Sequence, residues 1–370
     1  MYNKPSLIKA QVIDNQSFFG KKVLITGNTG FKGSWLSIWL HLLGAKIYGL
    51  ALEPPTNPSL YDEANLDNFV ETNLINIKDN EKVINLVQKI EPDYIFHLAA
   101  QPLVKYSYLE PVETWETNVL GTVNILDSLR KLENKCIGVI ITSDKCYENQ
   151  EWDWGYRESD RLGGSDPYSA TKGSAELAFS SFYKSFFKDK SVSKIRIASA
   201  RAGNVIGGGD WAEDRLVPDC IKAWVKKSQV TIKSPESTRP FQHVLEPLSG
   251  YISLAEQLNT NDLISGESFN FGPPSNANYR VIDVVKALSM NWIDSKWEIK
   301  TNKDNFSETK LLKLNCDKAL SLIKWEPSLD FKTTMKFTSD WYYSFYNKKG
   351  NIFDMCCKQI SDFISIKKNS

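Results

Sequence analysis

The sequence predicts an α/β fold, a doubly wound parallel sheet with a smaller α+β region, on three observations. Short apolar runs alternate with helical stretches, the βαβ pattern of a parallel sheet. A glycine-rich turn joins the first run to the first helix. Beyond about residue 203 the alternation breaks: Gly207-Gly208-Gly209 make a loop, apolar runs shorten and Pro273-Pro274 interrupt the chain again, so a second region starts there.

Taken in order, the predicted strands are 23–26, 46–50, 94–98, 139–142 and 195–200, and the predicted helices 81–90, 114–131 and 167–184. Val23, Leu24 and Ile25 form an apolar, partly β-branched run bounded by charge and glycine, the pattern of a strand buried on both faces. Trp35, Leu36, Trp39, Leu40 and Leu43 then recur on one helical face, and Gly44 stands where a helix end favours glycine. Between them Gly27, Gly30 and Gly33 let the backbone turn tightly and approach a pyrophosphate, toward which the first free N–H groups of the helix point. The spacing is G-x-x-G-x-x-G, not the G-x-G-x-x-G of the standard dinucleotide fingerprint, and three glycines alone are a weak signal. Strand, turn and helix in this order strengthen it into a Rossmann-type turn.

Composition narrows the function. With 42% hydrophobic and 24% charged residues the chain reads as soluble and globular, and a net charge of +1 offers no field for nucleic acid or an anionic membrane. The six cysteines form no CxxC pair, so neither a zinc site nor a disulfide framework is expected, and a reduced, cytoplasmic setting fits. Residues 1–19 lack the pattern of a signal peptide, and the longest uncharged stretch, between Lys32 and Lys46, falls short of the ~20 residues a bilayer needs.

The chemistry gathers at two places. Gly138 to Thr142 is a buried strand, and Ser143-Asp144-Lys145 follow at its C-terminal end, where open α/β sheets hold their ligands. By themselves these three could be a polar loop with a helix cap. Further on, Pro167 at a first helical position, capped by Ser165 or Asp166, starts a helix that places Tyr168 and Lys172 on one face. A phenol titrates near ~10 in water, and an adjacent ammonium favours phenolate, so the pair can take a proton from an alcohol. A Y-x-x-x-K pair alone is common as packing; in this chain order, with the glycine turn and Ser143, it reads as catalytic.

Over roughly residues 20–345 these motifs resemble the extended short-chain dehydrogenase/reductase family, and Thr26-Gly27, Gly30-Phe31, His97-Leu98-Ala99-Ala100 and Asn118 match it as well. The resemblance implies NAD, contacted by Gly27, Asn28, Thr29, Gly30, Phe31, Lys32 and Gly33, by Asn73 and Leu74 at the adenine, by Leu98, Ala99 and Ala100, and by Tyr168 and Lys172. At the end of the second strand the family's acid is replaced by Ala51, with Glu53 either reaching back or solvated, which predicts looser NAD binding. His97 reads as structural, with a general base as the other reading, and Asn118 as a support beneath the site.

Within the family, the runs 30–37, 142–149, 163–169 and 239–248 resemble the CDP-glucose 4,6-dehydratase branch, in which Lys145 stands where other dehydratases have glutamate. That branch implies Ser143, Tyr168 and Lys172 for oxidation at C4, Asp144 as acid and Lys145 as base for loss of water, and Asn204, Arg215, Leu216 and Arg239 as contacts to a nucleotide sugar, CDP-glucose favoured. A 4-epimerase on the same fold and a nucleotide-sugar sensor are the rival readings. The resemblance also implies surface-polysaccharide precursor synthesis and a homodimer or homotetramer, with no metal, nucleic acid or membrane partner. The expected division is an N-terminal extension (1–19), a discontinuous cofactor domain (20–203 and 241–272), a sugar-nucleotide domain (204–240 and 273–345) and a C-terminal extension (346–370).

Overall fold

A computed structural model describes residues 17–274, 277, 279–292, 294–300 and 311–369, so most of the expected N-terminal extension lies outside the described residues. The centre is a seven-stranded sheet: β1 (Lys22–Thr26), β2 (Lys46–Ala51), β3 (Val70–Leu74), β4 (Tyr94–His97), β5 (Cys136–Ile141), β6 (Ile195–Arg201) and β7 (Ser268–Asn270). Their order across the sheet is β7-β6-β5-β4-β1-β2-β3, and every pairing is parallel. The doubly wound α/β expectation is borne out. Strand order reverses between β1 and β4, which places the ligand crevice beyond their carboxyl ends.

Both faces are covered. Val23 and Ile25 point into one apolar layer with Trp35 and Trp39 of α1 (Phe31–Leu42), whereas Leu24 points into the other with Val83 and Val87 of α2 (Asn80–Ile90). The five expected strands are present, and β3 joins them at an edge. Its sequence, Val-Glu-Thr-Asn-Leu, carries too little apolar periodicity to announce a strand. The expected helix at 114–131 runs from Pro111 to Arg130 but is interrupted by a π-helical turn, Glu116–Leu120. The helix that carries Tyr168 and Lys172, α3 (Pro167–Phe182), starts at Pro167 with Asp166 as its cap, accepting from the Ser169 N–H at 2.9 Å.

After β6 the elements become short. Val205–Ile206 pairs with Gln242–His243, Thr238–Arg239 with Tyr279–Arg280, and Gln229–Ile232 with Lys296–Ile299, while the helix Leu216–Val225 packs beside them. The chain then returns through α4 (Leu245–Thr260) to β7. Near the end, α5 (Phe331–Tyr346) and α6 (Ile352–Asn369) close the structure; Phe363 of α6 meets Trp39 of α1 edge-on at 5.6 Å.

Candidate active site

The turn after β1 has the geometry of a phosphate cradle. Gly27 adopts φ +73, and a Cβ there would lie 2.9 Å from the Ala99 nitrogen; at Gly33 a Cβ would collide with the Gly27 carbonyl. No side chain caps α1 at Gly30, so its first N–H groups are left for an anion, and these residues fit a dinucleotide pyrophosphate. Thr29 fastens the turn to the end of β2 by donating to the Leu52 carbonyl at 2.9 Å. Phe31 packs toward Gly207.

Other expected cofactor residues are placed less directly. The Asn28 amide turns down into the protein, over Gly49, and donates to Thr72 at 2.8 Å, so only its backbone faces the cradle. Asn73 donates to the Gly49 carbonyl and Leu74 is exposed, at the far end of the crevice from α3. Ala51 is buried and Glu53 exposed, which leaves the end of β2 without an acid beside it. Leu98, Ala99 and Ala100 line the other wall, tied to β1 where Thr26 accepts from the Leu98 and Ala99 N–H groups.

At the end of β5, Ser143 caps a short 3₁₀ turn, Asp144–Cys146, by accepting from the Lys145 N–H. Its hydroxyl also donates to Asp144 Oδ1 at 2.9 Å and reaches the Tyr168 phenol. Tyr168 and Lys172 are both buried, with the Lys172 ammonium 5.9 Å from the centre of the Tyr168 ring. Burial pushes the phenol up to about 12, against pulls from Ser143 and the Arg215 charge, and pushes Lys172 down to about 8. The expected lowering of the phenol is thus opposed: desolvation outweighs the neighbouring positive charge. Burial likewise raises the Asp144 carboxyl, the direction an acid needs, with the Lys145 and Arg239 charges working against it.

Beneath this floor His97 is bonded on both nitrogens, to Thr26 at 2.8 Å and Thr122 at 3.0 Å, and burial holds it down at about 3. This is the geometry of a neutral structural residue. Asn118, in the π-helical turn, donates to Thr171 of α3 and brackets Gln101, accepting from its N–H and donating to its carbonyl. One turn beyond Lys172, Glu176 accepts from Thr142, Ser199, Ser268 and Arg201, and Arg201 also donates to Tyr147 at 2.7 Å.

From the second region Asn204, at φ +50, donates to Asp144 Oδ2 at 3.4 Å. Arg215 pairs with Asp210 at 2.9 Å, and its charge is felt by both Tyr168 and Lys32; Leu216 follows it, half-buried, at the start of a helix. Arg239 is half-buried and its charge reaches Asp144. The sequence places Lys32 among the cofactor contacts but does not show that it stands in the crevice near Lys172, Arg215 and Asp144. It donates to the Tyr251 hydroxyl of α4 at 3.0 Å and is lowered to about 7, first by burial, then by Lys172 and Arg215. Nothing local in the sequence signals that contact across 219 positions. Glu176 was findable: it lies four residues after Lys172 on the same helical face.

The crevice thus brings Ser143, Tyr168 and Lys172 together with a buried carboxyl, Asp144, and a neighbouring lysine, Lys145. Known proteins resemble this chain in sequence and in fold. The family model described as GDP-mannose 4,6 dehydratase matches residues 24–338. A CDP-glucose 4,6-dehydratase of Salmonella typhimurium strain LT2 is 44% identical over 96% of this chain and 99% of its own length. A UDP-glucose 4-epimerase of Mycoplasma pneumoniae is 23% identical over 88% of this chain and 98% of its own. In structure, a UDP-glucose-4-epimerase from Stenotrophomonas maltophila with bound NAD superposes with a TM-score of 0.76 at 18% identity, covering 89% of this chain and 99% of that one. The chain belongs to the GDP-mannose 4,6-dehydratase family of extended short-chain dehydrogenases/reductases.

Proposed function

We propose that the protein is an NAD-dependent hydro-lyase that converts CDP-glucose to CDP-4-keto-6-deoxyglucose and water. The observation that carries this reading is Asp144, buried and hydrogen-bonded to Ser143 beside Tyr168, so that an acid sits next to the alcohol-oxidising set. Choice of CDP-glucose is supported by the 44% identity to the Salmonella enzyme. Gly27, Gly30, Gly33 and the start of α1 would hold NAD, which supplies the hydride acceptor for C4 and returns the hydride at C6.

The chain's own residues handle protons and position. Tyr168 takes the proton of the C4 hydroxyl and Ser143 orients that oxygen; the Ser143 hydroxyl and the Arg215 charge favour phenolate against the cost of burial, and Lys172 adds an ammonium 5.9 Å from the ring centre. Asp144 protonates the departing C6 hydroxyl while Lys145 takes the C5 proton, acidified by the new C4 carbonyl. Asn204, Arg215, Leu216 and Arg239 hold the nucleotide sugar, the arginines by charge-assisted bonds to phosphate.

The product suits deoxysugar and surface-polysaccharide synthesis. All six cysteines are free thiols and none of the described helices is long and apolar enough to cross a membrane, both in keeping with work in the reducing cytoplasm. A homodimer or homotetramer is supported by exposed Val112, Trp115 and Leu120 around a surface hollow and exposed Leu177 on α3. Light scattering on the purified protein measures that state. The functional test is incubation with NAD and, separately, CDP-, dTDP-, UDP- and GDP-glucose. Loss of one water from CDP-glucose is expected; an isomer of unchanged mass would mark a 4-epimerase and overturn the reading.

A further inference from the structure

The residue after next beyond β6, Gly203, is packed against the acid of the site. A Cβ built there would fall on the Asp144 carboxylate, colliding with Oδ2, Cγ and Oδ1 alike. No conformational reason calls for glycine: Gly203 has a φ outside the left-handed region, so alanine would meet no backbone strain. The backbone is held as well: Gln242 bonds the two carbonyls that follow the Gly203 Cα, its Nε2 donating to the Gly203 carbonyl and its N–H to the Asn204 carbonyl, each at 3.2 Å. What can move is the far end of the Asp144 side chain.

We infer that Gly203 is a positioning residue for the loss of water: by leaving its Cβ volume empty it seats the Asp144 carboxylate between the Ser143 hydroxyl and the Asn204 amide, aimed at the C6 hydroxyl. The inference rests on the dehydratase reading above. A methyl group at position 203 turns the carboxylate out of that seat and breaks the bonds from Ser143, at 2.9 Å, and Asn204, at 3.4 Å. Ser143, Tyr168 and Lys172 stay where β5 and α3 hold them, so oxidation at C4 continues while protonation of the leaving hydroxyl fails.

The test is Gly203→Ala, read on both halves of the reaction with NAD and CDP-glucose. Formation of reduced nicotinamide on mixing reports C4 oxidation, and mass spectrometry of the sugar reports loss of water. The expected result is C4 oxidation within about threefold of wild type and dehydration slowed by about a hundredfold or more, the contribution of a general acid. A double-mutant cycle removes the alternative of general damage. In an Asp144→Ala background, where the collision is gone, adding Gly203→Ala should change neither rate nor thermal midpoint further. The inference is overturned if Gly203→Ala dehydrates within about threefold of wild type, or if it costs the same in the Asp144→Ala background as in wild type. Failure of the dehydratase reading itself would show in the wild-type protein, as no loss of water from any nucleotide glucose.

Discussion

Tyr168 illustrates how one environment both hinders and enables a residue. Its burial raises the phenol to about 12, while the Ser143 hydroxyl and the Arg215 charge pull it back toward phenolate, with the Lys172 ammonium 5.9 Å from the ring centre. Tyr168→Phe keeps the ring's packing and removes the proton acceptor. Turnover should fall to background while nucleotide-sugar affinity, measured by calorimetry, stays within a few fold; more than about a tenth of wild-type turnover would show that another group does the work. Lys145 is the second residue whose role is open to direct test. If it takes the C5 proton, Lys145→Met should still reduce bound cofactor in the presence of CDP-glucose yet incorporate no solvent deuterium at C5. Normal dehydration by this variant would make Lys145 only an electrostatic neighbour of Asp144.

At the scale of elements, β2 and β3 form the end of the crevice that the sequence describes least well. A dinucleotide's ribose usually meets a carboxylate at the end of the second strand, where this chain has buried Ala51. Ala51→Asp should therefore tighten NAD binding by roughly 1.5–3 kcal/mol, about tenfold or more, in a fluorescence titration; an unchanged affinity would mean that the ribose lies elsewhere. Elements whose signal is local were legible: the strand-turn-helix at 22–42, and Tyr168 with Lys172 on a helix opened by Pro167. The edge strand Val70–Leu74 was not, because Glu71, Thr72 and Asn73 interrupt any apolar run. The site was readable as a roster of residues and not as an arrangement. Contacts such as Lys32 with Tyr251, or Gly203 with Asp144, join parts of the chain that no spacing rule connects. Burial, which set the direction of the Tyr168 shift, likewise exists only once the layers have closed.

The whole molecule carries its own titration. Glu246, at the start of α4, accepts from the backbone N–H groups of Ser328 and Leu329 at 2.8 and 2.6 Å, pinning the Trp325-Glu326-Pro327 segment to the core. Burial raises its carboxyl to about 7 from an ordinary 4.5. Between those values the folded protein holds a proton that the unfolded chain has released, so this contribution to stability is complete below about 4.5 and is lost as pH rises through about 7. Glu246→Gln keeps the accepting oxygen and removes the titration. Its unfolding free energy should lack that decline, worth on the order of 3 kcal/mol, when both proteins are unfolded in urea across this range. Parallel pH dependence in the two proteins would remove Glu246 as the cause.

The contact between α1 and α6 sets a timetable for synthesis. Trp39 emerges early from the ribosome, but Phe363, which packs on it, belongs to α6, far along the chain. At ~5–20 residues per second the nascent chain presents the aromatic face of α1 to its surroundings for on the order of tens of seconds, far longer than apolar collapse takes. Release therefore depends on whatever shields that face in the interval, and a chain halted before residue 352 would carry it exposed for as long as it lasts, as a ready surface for chaperones and for other unfinished copies.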